Sequence, residues 1–417
     1  MEKDLIKAID FWKKSLRSDI YGRSILEKMN FSTKEVIDLV GIRRCGKSSI
    51  LNLIVNRLKL KDDFLYINFE DPFFIEHNNP QIFEKLIAVY KEYFNENLKY
   101  LFFDEVQNIS WWEKAVRKLR DEGRYKIFIT GSSSKLLSRE ISTLLTGRHI
   151  SYQVHPLSFS EFLSFKNIAP ADRKDLVLKE SRLKKEFVHF LQIGGFPEAV
   201  IKNDAQILKN YFYDVLYKDI VVRHNIRESD VLEKIAIFLF SNSAKVHSTE
   251  SIRKAYKISF ESAANYLSFL KEAFLVFELA SYAHSLKKQS NLPRKIYSAD
   301  TGIANAVSFK FSKDEGRILE NAAFLELLKR GLNLFYYRGK NECDFVVKEK
   351  EKITQVIQTA QELNQDNIDR ELAGLIEAAK FFNLKKGLIL TESAEDSITK
   401  NGIKIAIKPL WKWALEN

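Results

Sequence analysis

The stretch GIRRCGKSS, residues 41 to 49, carries two glycines, a lysine and a serine at the G-x-x-x-x-G-K-[ST] spacing that binds nucleotide phosphates. In such a loop, backbone N–H groups surround the β- and γ-phosphates, and the following helix adds the positive end of its dipole. We expect Lys47 to reach the outer phosphates and the Ser48 hydroxyl to ligate Mg²⁺. The loop residues predicted to contact nucleotide are Gly41, Ile42, Arg43, Arg44, Cys45, Gly46, Lys47, Ser48 and Ser49.

Two carboxylates, Asp104 and Glu105, follow the apolar stretch YLFF. Doubly wound sheets bind ligands at the carboxyl ends of their strands, so we expect both acids beside the phosphate loop. Asp104 would hold Mg²⁺ through water, and Glu105 would act as the general base that deprotonates the attacking water. The alternative is an acidic turn after a core strand, but the phosphate loop upstream favours the catalytic interpretation.

Hydroxyl groups end the next apolar stretch, YKIFITGSSS, at Thr130, Ser132 and Ser133. One of them would contact the γ-phosphate or the attacking water, and the alternative for a serine is a helix N-cap. Arg148, in LTGRH, is a candidate for the arginine that neutralises charge in the transition state, from its own or a neighbouring subunit. A structural salt bridge of Arg148 is the competing interpretation.

These residues need strands that bring them to one edge of a sheet. The stretches EVIDLV, YINF, YLFF and KIFIT are short and apolar, as is typical of buried parallel strands. Helical patterns such as PQIFEKLIAVYKEYF lie between them. The alternation predicts an α/β fold whose parallel sheet is covered by helices on both faces.

The composition is that of a globular chain, because 45% of its 417 residues are hydrophobic. This length predicts two to four domains. A formal net charge of +11 favours polyanionic partners, with lysine-rich solvated surfaces as the alternative. Two cysteines in unrelated segments indicate neither a disulfide framework nor a metal cluster, so we expect a reducing cytoplasm. There is no apolar stretch of membrane-spanning length, and no secretion signal opens the sequence.

Six motifs in order resemble the predicted ATPases of the AAA+ superfamily found in archaea and bacteria: GIRRCGKSS, YINFEDP, LFFDEVQNISWWEKAVRKL, ITGSSSKLLS, LTGR and GGFPEAV. The resemblance covers nearly the whole chain. It implies a RecA-like AAA+ core at residues 1–165 and a helical lid at 166–226, where Arg223 would face nucleotide or form a surface salt bridge. AAA+ relatives often form rings in which one subunit's arginine completes the next subunit's site, and the sequence leaves open whether this chain does so.

Residues 227–312 read as three helices followed by short strands, which suggests a winged helix-turn-helix. The third helix contains a single basic residue, Lys271, although a helix that reads a DNA groove would carry more. A protein-contact or structural winged helix is therefore at least as well supported as a DNA reader. The stretch SLKKQSNLPRK, residues 285 to 295, is the better candidate for phosphate contact.

Residues 313–417 follow an α-β-β-β order that resembles the PD-(D/E)xK nuclease fold. By that resemblance Glu320, Asp344 and Gln355 occupy the metal-site positions, and Ile357 stands where the nuclease lysine belongs. Without that ammonium, no obvious group activates water, so we expect an inactive or weak remnant. The alternative is three polar residues at the edge of a small sheet.

Together the motifs favour a Mg²⁺-dependent ATPase whose hydrolysis switches the appended domains. A nucleic-acid-binding protein with ATP-controlled engagement is the alternative, with DNA or RNA as the partner. A protein-binding NTPase regulator, a homo-oligomer and an active nuclease also stay open, although Ile357 argues against the last. Guanine is disfavoured as the base, because no N-K-x-D stretch follows the third strand.

Overall fold

The computed structural model forms two compact units, Met1–Val154 and His155–Asn417. The four domains predicted from the sequence are a finer division, and they stay a prediction. In the described ranges, no helix is long and apolar enough to cross a membrane. The described residues are 1–17, 20–132, 147–308, 315–364 and 367–416.

The first unit is built on a five-stranded sheet in the order β2-β3-β4-β1-β5. Every neighbouring pair is parallel. This topology confirms the predicted α/β fold and matches a RecA-like AAA+ core. The strands are β1 (Val36–Val40), β2 (Phe64–Asn68), β3 (Tyr100–Asp104), β4 (Lys126–Gly131) and β5 (His149–Gln153).

Helices accompany these strands, and the sheet interior is apolar. All five residues of β1 are buried, which is typical of a strand covered on both faces. On neighbouring strands, the Phe102 and Phe128 rings stack with centroids 4.8 Å apart. The helices are α1 (Glu2–Lys14), α2 (Lys47–Arg57), α3 (Phe73–Glu76), α4 (Gln81–Tyr93) and α5 (Trp112–Glu122), with 3₁₀ turns at Ser24–Lys28 and Val106–Asn108.

The second unit begins with a helical region. A π-helix, Val215–Val221, interrupts its last long segment. The α-helices of this region are α6 (Phe159–Phe165), α7 (Arg173–Leu178), α8 (Glu180–Ile193), α9 (Pro197–Lys202), α10 (Gln206–Asp214) and α11 (Val222–His224).

Five helices and a small antiparallel sheet make up the described part of the next region. Serine side chains cap three of these helices, and two of the caps, Ser248 and Ser259, are those that the sequence pattern predicts. The sheet has the order β6-β8-β7. The elements of this region are α12 (Ser229–Ser241), β6 (Val246–His247), α13 (Thr249–Tyr256), α14 (Phe260–Glu272), β7 (Val276–Leu279), α15 (Leu286–Asn291), β8 (Arg294–Ser298) and α16 (Thr301–Val307).

The C-terminal part of the unit is a six-stranded mixed sheet in the order β13-β14-β12-β11-β10-β9. An apolar core joins one face of this sheet to α18, through residues such as Val346, Val356 and Leu375. The elements are α17 (Glu315–Lys329), β9 (Asn333–Arg338), β10 (Glu342–Glu349), β11 (Lys352–Ala360), α18 (Ile368–Phe381), β12 (Lys386–Thr391), β13 (Asp396–Lys400), β14 (Ile403–Pro409) and α19 (Leu410–Leu415).

Candidate functional site

The predicted phosphate loop connects the carboxyl end of β1 to the first turn of α2. Its two glycines are required by the backbone. A Cβ on Gly41 would lie 2.2 Å from the Val154 carbonyl oxygen, and Gly46 has a φ of 99° in the left-handed region. The strand, loop and helix therefore follow one another as the motif demands.

Lys47 is buried at the start of α2 and points back over the loop. Its Nζ donates to the carbonyl oxygens of Gly41, at 3.1 Å, and Ile42, at 3.3 Å. The same nitrogen lies 3.5 Å from Glu105 Oε1. The ammonium thus sits between the phosphate loop and the end of β3.

Asp104 is fully buried at the last position of β3. Its carboxylate accepts hydrogen bonds from Thr130 Oγ1, and from Tyr66 Oη at 2.9 Å. Burial, together with the Glu105 charge, raises the pKa of Asp104, and hydrogen bonds from Ser48 and Thr130 oppose that shift. The contact with Ser48 brings the two predicted Mg²⁺ ligands together.

Glu105 follows with a φ of 50°, in the left-handed region. Its backbone N–H donates to Thr130 Oγ1 at 2.9 Å, and its carboxylate accepts from the Gln107 amide. Burial alone would raise the pKa of Glu105, but the Lys47 charge and the Gln107 hydrogen bond lower it below its ordinary value. The carboxylate is therefore ionised at neutral pH and held in one orientation.

Thr130 lies on β4, the strand between β1 and β3, and joins the two acids through one hydroxyl. Ser132 comes just after β4, and its buried Oγ is among the side-chain atoms for which the described part of the chain provides no hydrogen-bond partner. Ser133 lies outside the described residues. Thr130 is thus a positioning group for the carboxylates, and the Ser132 hydroxyl has an unused hydrogen-bonding capacity.

Arg148 lies near the amino ends of the parallel strands, whereas the phosphate loop lies at their carboxyl ends. Its carbonyl oxygen accepts from Val36 N–H, at the amino end of β1, whereas the loop follows the carboxyl end of that strand. Five strand residues separate these ends by about 16 Å. Arg148 Nε lies 3.5 Å from Asp121. The structure therefore excludes Arg148 from the nucleotide site of its own chain and leaves the neighbouring-subunit alternative as a prediction.

The remaining loop residues differ in their contacts. Arg43 Nη1 bonds to Glu70 Oε1 at 2.8 Å, while Arg44 and Ser49 are exposed. Cys45 is buried, and its carbonyl oxygen accepts from Arg23 Nη1 at 3.0 Å. Sequence reasoning missed Arg23, because a single basic residue before the first strand gives no signal of a contact 22 positions away.

A second polar cluster lies in the C-terminal unit, where Glu320 of α17 and Asp344 of β10 come together as predicted. Gln355 does not join them: it is exposed and pairs with Val347 of β10. Gln358 takes its place, since its Oε1 accepts from the Asp344 N–H at 3.2 Å. The assignment of Gln355 to this cluster was therefore wrong, and Gln358, three positions later, is the residue beside Asp344.

An ammonium does reach this cluster, although Ile357 is apolar and Ala360 stands two positions after Gln358. It is Lys295 of β8, whose Nζ lies 2.8 Å from Glu320, 2.8 Å from Glu342 and 2.9 Å from Asp344. Sequence reasoning assigned the stretch that ends in Lys295 to phosphate contact. Only 2% of the Lys295 side chain is exposed, so this lysine contacts carboxylates and is not presented to solvent.

The charged groups of this cluster strongly shift one another's pKa values. Burial alone would lower the pKa of Lys295, but the charges of Asp344 and Glu320 raise it well above its ordinary value. Burial, with the Asp344 charge, raises the pKa of Glu320 to about 7, and Lys295 opposes that shift.

Arg223, the other arginine candidate, lies on α11 in this unit.

Comparisons with known proteins support the interpretation of the first unit. The family model described as an AAA domain matches residues 33–163, and a domain of unknown function matches residues 184–314. An uncharacterized protein of Methanocaldococcus jannaschii, MJ1544, is 40% identical over 406 residues, which cover 90% of this chain and 87% of the relative. An uncharacterized protein of Haemophilus influenzae is 29% identical over 343 residues, 79% of this chain and 83% of its own length.

The solved structures matched by this chain include Orc1 of Aeropyrum pernix in complex with DNA and AMPPCP-bound DnaA of Aquifex aeolicus. Orc1 is 13% identical, with 73% of this chain and 91% of that chain covered and a TM-score of 0.29. DnaA is 15% identical, with 60% and 86% covered and a TM-score of 0.25. The identity to MJ1544 over most of both chains decides membership: the chain belongs to the same family as MJ1544, and it contains an AAA domain.

Proposed function

We propose that this member of the MJ1544 family binds ATP with Mg²⁺ in its first unit and hydrolyses it. The observation that carries the proposal is the convergence of Lys47, Ser48, Asp104 and Glu105. The Lys47 ammonium lies 3.5 Å from Glu105, and Ser48 hydrogen-bonds to Asp104. These residue types, at the end of a phosphate loop and of a neighbouring strand, are those that phosphoryl transfer requires.

Nucleotide binding rests on the loop and Lys47. The ammonium is held by two carbonyl oxygens, of Gly41 and Ile42, at 3.1 and 3.3 Å. An arriving triphosphate offers it full negative charges in place of these dipoles, so we expect Nζ to move to the outer phosphates. The backbone N–H groups of the loop and the first turn of α2 add further donors.

The metal-ligand set fits Mg²⁺, because Ser48 and Asp104 are oxygen donors that already contact each other. Bound there, the ion would neutralise charge on the β- and γ-phosphates. Thr130 and Tyr66 hold the Asp104 carboxylate in place through hydrogen bonds. This keeps one carboxylate orientation available without reorganisation during the reaction.

Glu105 would accept a proton from the attacking water. Its lowered pKa keeps it ionised, and Gln107 and Lys47 fix its two oxygens. The arginine that neutralises the transition state would be Arg148 of a neighbouring subunit, or Arg223, as the AAA+ resemblance implies. With Arg148 of a neighbouring subunit in this role, hydrolysis would depend on assembly of several copies of the chain.

The other segments follow the same resemblance. Residues 166–226 would form the helical lid, and α12 to α14 with the sheet β6-β8-β7 have the element order of a winged helix. Lys271, the basic residue of α14, is bonded to Glu278 at 2.8 Å. That contact favours a protein-contact role over groove reading. The C-terminal sheet would be a nuclease-like scaffold, switched by the ATPase. A missing ammonium no longer argues for its inactivity, because Lys295 reaches the acids.

The test is ATP turnover and nucleotide binding by the wild type and the Lys47→Ala variant. We expect the variant to lose turnover and most of its affinity, while Lys99→Ala, which removes an exposed lysine, keeps both. Turnover by Lys47→Ala at the wild-type rate would defeat the proposal.

Nucleic-acid engagement is the second candidate, motivated by the net charge of +11. Filter binding of DNA and RNA across a salt series, with and without ATP, would test it. An affinity that falls with salt and depends on ATP supports this function, and no binding even at low salt rules it out.

A further inference from the structure

The strongest unassigned feature of the chain is the set of charges around Lys295. This lysine lies on β8 in the middle of the three-stranded sheet, where it pairs with Val246 of β6 and Leu279 of β7. From there it reaches α17 and β10 of the C-terminal sheet. A lysine with 2% of its side chain exposed occurs in proteins only when its charge is paired, and here three carboxylates pair it.

Both oxygens of Asp344 and one oxygen of Glu320 already accept hydrogen bonds. Asp344 Oδ1 accepts from Lys295, and Oδ2 accepts from both the N–H and the hydroxyl of Thr359, at 2.9 and 2.7 Å. Glu320 Oε1 accepts from Lys295 and from Tyr297 Oη, at 2.8 and 2.7 Å. A divalent cation would have to displace these donors, because its ligands must turn their lone pairs to the ion.

A polar cavity of 540 Å³ opens onto the same acids. Glu320 and Asp344 line it, together with Gln358, Thr359, Arg317 and Arg370. The described residues contain no group of three or more His, Cys, Asp or Glu side chains arranged to hold a metal ion. The cavity is therefore lined by acids like those of a nuclease cleft, but these carboxylates contact the Lys295 ammonium and not a metal ion.

We propose that Lys295 is the built-in cation of this cluster, that it keeps divalent cations out of the cleft, and that its removal creates a metal site. The ammonium of Lys295 satisfies Glu320, Glu342 and Asp344 from the β8 side and ties the small sheet to the C-terminal sheet. Phosphodiester cleavage at the cleft is thereby prevented, since carboxylates without a metal ion repel a phosphate. This inference does not depend on ATP hydrolysis by the first unit.

The experiment measures Mn²⁺ binding by electron paramagnetic resonance, with every protein carrying Asp104→Asn so that the first unit offers no Mg²⁺-type site. We expect no Mn²⁺ site in this background, and a site with at least about tenfold higher affinity after Lys295→Met, since a repelling positive charge is gone. A further Asp344→Asn change should abolish the new site. Lys295→Arg should still exclude Mn²⁺, and Lys404→Met, at an exposed lysine, should change nothing.

Two results would overturn the proposal. One is Mn²⁺ binding by the background protein that Asp344→Asn removes, which would make Lys295 a partner of a metal rather than its substitute. The other is no gain of binding in a folded Lys295→Met variant. If that variant unfolds, its thermal stability is measured against Mn²⁺ concentration, where metal-dependent recovery supports the inference and its absence contradicts it.

Discussion

Replacing Glu105 by glutamine tests whether Glu105 is the general base, as opposed to Lys47 as the phosphate ligand and Asp104 as the metal ligand. The amide keeps the size of the side chain and its hydrogen bond to Gln107, but it cannot accept a proton. General-base catalysis typically contributes about 10²–10⁴-fold to a rate, so kcat should fall by that factor. The corresponding loss of transition-state stabilisation is about 3–5 kcal/mol.

The same change should tighten nucleotide binding. Lys47 and Glu105 lie 3.5 Å apart, and their Coulomb attraction at an effective dielectric constant of about 20 is about 5 kcal/mol before desolvation is counted. Once the carboxylate is neutral, Lys47 no longer divides its charge between Glu105 and the phosphates. The repulsion between Glu105 and the γ-phosphate also disappears, so Kd for ATP should fall.

Steady-state hydrolysis and equilibrium binding of a fluorescent ATP analogue, measured on the same preparation, separate the two effects. Glu96→Gln serves as the control, because Glu96 is exposed and should leave kcat and Kd unchanged. A kcat within about twofold of the wild type would refute the assignment of Glu105 as the base, and so would a loss of rate explained entirely by weaker binding.

Two further predictions concern Arg148 and His149, which lie near the amino ends of the strands of the first sheet. Arg148→Ala should lower kcat by about 10³-fold or more if Arg148 serves a neighbouring site, and mixing it with the inactive Lys47→Ala protein should restore hydrolysis. Asp121→Asn, which removes the salt bridge to Arg148 together with those to Arg117 and Arg120, should not reduce hydrolysis. A mixture without recovery would contradict a role of Arg148 in a neighbouring site. The hydrogen bond to Asp38 raises the pKa of His149 in the folded state, and burial only partly opposes this shift. The contribution of His149 to folding stability is therefore present below its unfolded pKa of about 6.5 and is lost as pH rises through the folded pKa. Thermal unfolding from pH 5 to 9 should therefore show a wild-type advantage over His149→Gln that shrinks with rising pH, and a constant difference would count against this pairing.

The nucleotide site could be predicted because its chemistry is written in short stretches. Gly41 to Ser48 are contiguous, and Asp104 and Glu105 end a strand whose apolar pattern is clear. Parallel strands present their carboxyl ends at one edge, which brings these stretches together without any knowledge of distant contacts. If the strand that begins at His149 had been recognised from its sequence, the same rule would have placed Arg148 at the amino end of a strand, away from the nucleotide site of its own chain.

The acidic cluster could be predicted only in part. Glu320 and Asp344 were found, but Gln355 was the wrong partner. The register of β10 with β11 places Gln358 beside Asp344, and a pairing register cannot be read from either strand alone. Lys295 could not be found, because it is 49 residues from Asp344 and belongs to a different sheet.

The two lysines show why similar residue types lead to different functions. Lys47 donates to two carbonyl oxygens, and the Glu105 carboxylate lies 3.5 Å away, so a triphosphate can compete for the ammonium. Lys295 is held at 2.8–2.9 Å by three carboxylates. Two of them, Asp344 and Glu320, are themselves fixed by backbone or hydroxyl donors. Breaking such a buried network leaves uncompensated charges, which is far more costly than exchanging weak dipolar contacts for phosphate oxygens. The first arrangement is therefore suited to reversible binding, and the second to a permanent internal ion pair.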